Sequence, residues 1–105
     1  MAVQRLQSNR RMSQIVIHND TVYLSGQVGN DMAAGIGQQT RETLANIEQL
    51  LAEAGTDKSR ILSVTIYLKD IDADFAGMNQ VWDQWLAEGT TPARATVEAK
   101  LCEPE

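Results

Sequence analysis

The chain has 105 residues, 43% apolar and 22% charged, which suits one globular domain over 1–105 with a core of its own and leaves no room for a second. A formal charge of -5 argues against a nucleic-acid partner, which calls for a basic stripe. A single cysteine and a single histidine exclude an internal disulfide and a zinc ligand set and fit a reducing, cytoplasmic compartment, and the absence of a long apolar run argues against a membrane partner.

In chain order, Val3 and Leu6 could sit in a short edge strand, but Ser8-Asn9-Arg10-Arg11 interrupts the pattern. Gln14 to His18 and Thr21 to Ser25 read as two strands. The Asn19-Asp20 pair between them reads as a tight hairpin turn, because both residues tolerate positive φ. Gly26 and Gly29 end the second strand. From Gln38 to Ala54 the period changes: Thr40, Leu44, Ile47, Leu51 and Ala54 form one helical stripe, and Gly55 stands where a helix stops. Ile61 to Leu68 reads as a third strand. An acidic loop then leads to Asp74 as the N-cap of a second helix, whose stripe is Phe75, Met78, Val81, Trp82 and Trp85 and whose end is Gly89. A strand follows Pro92. The order β-β-α-β-α-β predicts an α+β fold, one sheet with two helices on one face, the last two strands joined by a crossover.

Alternation in the last strand separates Ala95, Val97, Ala99 and Leu101 from Arg94, Thr96, Glu98 and Lys100. Hydrophobicity places the first set under the helices. The opposite sheet face then collects Thr21, Tyr23, Ser25, Ser63, Thr65, Tyr67, Arg94, Thr96 and Glu98. That face is rich in hydroxyls and poor in long charged side chains. It reads either as a solvated antiparallel face or as one covered by copies of the same chain, with Arg94 near the seam. Arg94 itself reads either as a solubilising surface residue or as a bidentate receptor for a carboxylate or phosphate.

Other chemistry is sparse. His18 has no partner nearby in sequence, and Cys102 sits among acids, so both read as incidental. Ser25-Gly26 ends a strand, where glycine lets a ligand approach the backbone or simply serves a turn. Trp82 and Trp85 read as packing. Asp70, Asp72 and Asp74 lack the glycine and the terminal glutamate of a calcium loop.

Four segments in order carry a resemblance: Ser25-Gly26-Gln27-Val28, the Leu44-x-x-Ile47 helix ending at Ala54-Gly55, Val64-Thr65-Ile66-Tyr67-Leu68-Lys69-Asp70, and Pro92-Ala93-Arg94-Ala95-Thr96-Val97-Glu98. Together they resemble the YjgF/RidA family, also called the L-PSP endoribonuclease family. Met12-Ser13-Gln14 and Trp82-Asp83-x-Trp85 look closest to its YoaB-like branch. The resemblance implies a chorismate-mutase-like, ferredoxin-like fold, and a homotrimer whose sheets line a central barrel with clefts between subunits. It implies a deaminase that hydrolyses small 2-imino or enamine acids to 2-keto acids and ammonia, with no metal or organic cofactor. By the same resemblance Arg94 grips the substrate carboxylate, while Ser25, Gly26 and Thr96 line the cleft. The chain departs from RidA at Met12-Ser13-Gln14, where RidA has a tyrosine. The resemblance also implies a last strand carrying a water-positioning glutamate beyond Glu105. A binder of small carboxylates without catalysis and an endoribonuclease are the other readings of the same likeness.

Overall fold

Asn19 and Asp20 have φ of 52° and 66°, the left-handed pair that a two-residue hairpin turn demands. They join β2 (Ser13–His18) to β3 (Thr21–Leu24), with Ile15 opposite Leu24 and Ile17 opposite Val22. This computed structural model describes residues 2–31 and 34–101; Cys102 and Glu105 lie outside the described residues. An antiparallel strand not counted in the expected order, β1 (Gln4–Ser8), lies against β2. The Ser8-Asn9-Arg10-Arg11 segment leads through the turn between them. Asn9 Oδ1 accepts the backbone N–H groups of Arg11 and Met12 at 2.8 and 3.1 Å.

The first helix, α1 (Ile36–Glu53), buries Leu44, Leu50 and Leu51. It stops at Gly55, whose φ is 87°, with the Thr56 N–H reaching back to the Leu51 carbonyl at 2.9 Å. After a short 3-10 turn come β4 (Ser63–Leu68), α2 (Ile71–Trp85) and β5 (Ala93–Glu98). The second helix starts earlier than expected. Asp70, not Asp74, is the N-cap: its carboxylate accepts the Ala73 N–H at 3.1 Å. Asp72 and Asp74 fall in the first turn, where the helix dipole favours negative charge.

β4 and β5 are parallel, as a crossover requires, and pair from Ser63↔Ala93 to Leu68↔Glu98. The observed order is β-β-β-α-β-α-β, not β-β-α-β-α-β. The expected single sheet is divided by its hydrogen bonds into β1-β2-β3 and β4-β5, because β3 and β4 are not bonded to each other. The fold class stays α+β. Leu44, Leu68, Met78, Val81 and Trp82 form the buried core, flanked by Ile36, Ile47, Val64 and Ile66.

The face of β5 is the opposite of the one hydrophobicity assigned. Register neighbours of parallel strands share a face, and Arg94 pairs with Val64, Thr96 with Ile66 and Glu98 with Leu68. Val64, Ile66 and Leu68 pack into the core. Arg94 and Thr96 therefore point to the helix side, and Ala95 and Val97 to the open side, where Val97 is exposed. An arginine is tolerated there because α2 provides it with polar and aromatic partners.

Candidate functional site

The Arg94 guanidinium lies along one stripe of α2. Its Nη1 donates to Asn79 Oδ1 at 2.7 Å. Its Cζ is 5.9 Å from the Phe75 ring centroid and 5.4 Å from that of Trp82, both within cation–π range. Phe75, Asn79 and Trp82 are spaced i, i+4, i+7, so one helix face supplies all three. In sequence Phe75 and Trp82 belong to the apolar stripe of α2, and nothing in local pattern singles out Asn79 beyond its being a polar residue within that stripe. Among the described residues no carboxylate pairs with Arg94. Asn79 occupies one of the five N–H donors of the guanidinium, which leaves donors free for a planar anion.

Thr96 lies two residues on, on the same side of β5. Its hydroxyl oxygen is buried with no hydrogen-bond partner among the described residues. Ser25 and Gly26 follow β3. Ser25 Oγ donates to Gln14 Oε1 at 2.5 Å, and the Gln27 amide donates to the same oxygen at 2.8 Å. Gln14 thus anchors this cluster from β2, in the stretch that departs from RidA. Gly26 is exposed, and a Cβ added there would meet nothing within 4 Å, so no contact within its own chain demands glycine. The structure brings Arg94 together with Thr96, and Ser25 with Gly26. Among the described residues no hydrogen bond or ring contact joins the two pairs.

Two clefts lie elsewhere. One of about 340 Å³ is lined by Glu48, Asp57 and Lys58 among others. One of about 600 Å³ includes Tyr67, Asp70, Asp74 and Glu98. Arg94 lines neither of these two. Among the described residues there is no cluster of three or more metal-ligating side chains, and no helix is long and apolar enough to cross a membrane.

The small α+β fold, with a sheet and two helices, defines the class, and the comparisons agree with it. The family model described as Endoribonuclease L-PSP matches residues 2–105; the chain belongs to this family, the YjgF/RidA family, and to its YoaB-like branch. It is 43% identical to the RutC family protein YoaB of Escherichia coli, over 100% of this chain and 90% of that one. A solved member of the YjgF protein family from Neisseria meningitidis superposes with a TM-score of 0.95 at 44% identity, covering 100% of this chain and 87% of that one. A bovine protein named 2-iminobutanoate/2-iminopropanoate deaminase is 35% identical over 82% of this chain and 66% of its own length.

Proposed function

We propose that this protein is a reactive-intermediate deaminase that hydrolyses small 2-imino or enamine acids to 2-keto acids and ammonia. The observation that carries this reading is Arg94: a guanidinium held on a strand by Asn79 and two aromatic faces, with no carboxylate partner among the described residues. The name of the bovine relative supports the same substrate class.

In this reading the substrate carboxylate sits on the free edge of Arg94, a charge-assisted interaction of about 1.5–3 kcal/mol. Ser25, Gly26 and Thr96 line the rest of the cleft. An imine carbon is already electrophilic, so orientation does most of what is needed. Water adds to the C=N carbon, the nitrogen takes up protons, and the resulting carbinolamine expels ammonia to leave the keto acid. The solvent supplies and removes the protons.

The active form is a homotrimer with its clefts between subunits. Two observations support it. Among the described residues no hydrogen bond or ring contact joins Ser25 or Gly26 to Arg94. The open side of β4 and β5 presents Thr65, Tyr67, Ala95 and Val97, with Tyr67 57% and Val97 40% exposed, an uncharged face suited to burial against a copy of itself. A carboxylate binder without catalysis is the second reading, favoured by the absence, among the described residues, of any acid or base bonded to Arg94.

The test is Arg94→Ala in a coupled assay that generates 2-iminopropanoate, with 2-ketobutanoate titrated in parallel. The variant should lose hydrolysis and keto-acid binding while keeping the oligomer. Full activity in Arg94→Ala would reject the assignment. Binding without turnover in the unaltered protein would select the second reading.

A further inference from the structure

Arg94 stands at the end of a row. Lys58 Nζ lies 5.0 Å from the Trp85 ring centroid. Trp85 lies 5.6 Å from Trp82, tilted by 39°. Arg94 Cζ lies 5.4 Å from Trp82 on the far side of this sequence of contacts. Two cations thus end a row whose middle is the pair of indoles, and these are the only two tryptophans of the chain.

Each link is tied down. The Trp85 indole N–H donates to Glu48 on α1. Lys58 Nζ donates to the Trp85 carbonyl at 2.5 Å and lies 3.7 Å from the Glu48 carboxylate. Trp82 is 5% exposed and belongs to the core. Phe75, the other ring at Arg94, is 41% exposed and farther away, so it has less backing.

A ring attracts a guanidinium through its face. A carboxylate binds in the guanidinium plane, through the N–H edge. An aromatic support therefore holds the cation without occupying the donors that a ligand needs, which an internal carboxylate could not do. A long side chain that is already ordered also loses less entropy when it grips a ligand.

We propose, building on Arg94 as the carboxylate receptor, that Trp82 is its positioning residue, held in place by Trp85, Glu48 and Lys58. The ring face keeps the guanidinium aimed, and Asn79 sets its rotation.

The comparison is between Trp82→Leu, which removes the face, and Trp82→Tyr, which keeps one. Trp82→Leu should raise KM for 2-iminopropanoate, and Kd for 2-ketobutanoate, about tenfold, with kcat nearly unchanged because the grip is the same in ground and transition states. Trp82→Tyr should stay within about threefold of the unaltered protein. A merely structural role would lower the amount of active protein and leave KM alone. A native KM in Trp82→Leu, or Trp82→Tyr as weak as Trp82→Leu, overturns the assignment. Should Trp82→Leu fail to fold, biosynthetic replacement of both tryptophans by difluorotryptophan weakens the ring faces at nearly constant volume. KM must then rise, and an unchanged value overturns it. The Arg94 Nε–Hε NMR resonance, identified by its loss in Arg94→Lys, needs no ligand. It should be ring-shifted in the unaltered protein and lose most of that shift in Trp82→Leu, Phe75 leaving a remainder; a shift unchanged in Trp82→Leu overturns the assignment. If the unaltered protein binds no keto acid, the carboxylate reading fails, and with it the ligand role of Trp82, while the resonance still reports whether Trp82 holds Arg94.

Discussion

Replacing Asn79 by aspartate changes little in shape and adds one negative charge beside Arg94, the proposed carboxylate receptor. Asn79 Oδ1 already accepts from Arg94 Nη1 at 2.7 Å, so the acceptor is kept and Arg94 gains an internal counter-ion. A unit charge pair about 4 Å apart is worth about 1 kcal/mol in water and about 4 kcal/mol at an effective dielectric of 20. Both residues are only half-buried, so the lower half of that range applies, roughly 1–2 kcal/mol after screening. An incoming carboxylate must compete with this pair. Asn79→Asp should raise KM for 2-iminopropanoate about 5- to 30-fold at low ionic strength. The gap should narrow with added salt, and thermal stability should match or exceed that of the unaltered protein. Kinetics and keto-acid calorimetry at two salt concentrations measure it. Unchanged affinity in a folded Asn79→Asp would mean that the carboxylate is not received at Arg94.

Three other outcomes are expected. A Cβ at Gly29 would lie 3.1 Å from the Gln39 carbonyl oxygen and 3.2 Å from Gln39 Cα, so the loop or the α1 backbone must give by a few tenths of an ångström, and Gly29→Ala should destabilise by about 1–3 kcal/mol; an unchanged urea midpoint would refute that packing. The Glu42 carboxyl is held below its ordinary 4.5 by the Asp31 backbone N–H and then by the Gln38 amide. Its stabilising effect should be complete above the unfolded value and disappear as pH falls through the lowered folded one, so the stability difference from Glu42→Gln should shrink towards acid, and a pH-independent difference would contradict it. Val97→Asp puts a charge on the open side of β5, where light scattering should find monomers; an intact trimer would place the subunit contact elsewhere.

Elements marked by their own local chemistry were the legible ones. Asn19-Asp20 announces the hairpin by residue type alone, and the Leu44–Ile47–Leu51 stripe with Gly55 bounds α1 to within two residues. β1 was obscured because it is an edge strand in which only Leu6 is half-buried, so no alternation marks it. Asp70 and Asp74 are equally good caps on paper. In the fold Asp70 takes the role, and the N–H of the first helical residue, Ile71, bonds to Glu98 at 3.0 Å. The face of β5 is not legible from polarity, because in this strand the polar residues Arg94 and Thr96 face the helices. Arg94 contradicts its strand's hydrophobic pattern, and the partners that make this tolerable come from another element, α2. Arg94 was visible in its motif; the niche that holds it required the register.

That register also has a bearing on how the molecule is assembled. The β2–β3 hairpin closes over two residues, a contact that chains make within microseconds. β4 finds β5 only across the whole of α2, with Ser63 beside Ala93, and such distant pairings form late because loop closure comes first. Arg94 sits beside Trp82 on the strand that this pairing positions. A chain lacking the pairing would already show helical signal and a formed hairpin, with β5 still undocked. Under the proposed function, retention on an immobilised keto acid would then count only molecules in which β5 has docked, which makes the site a gauge of its own maturation.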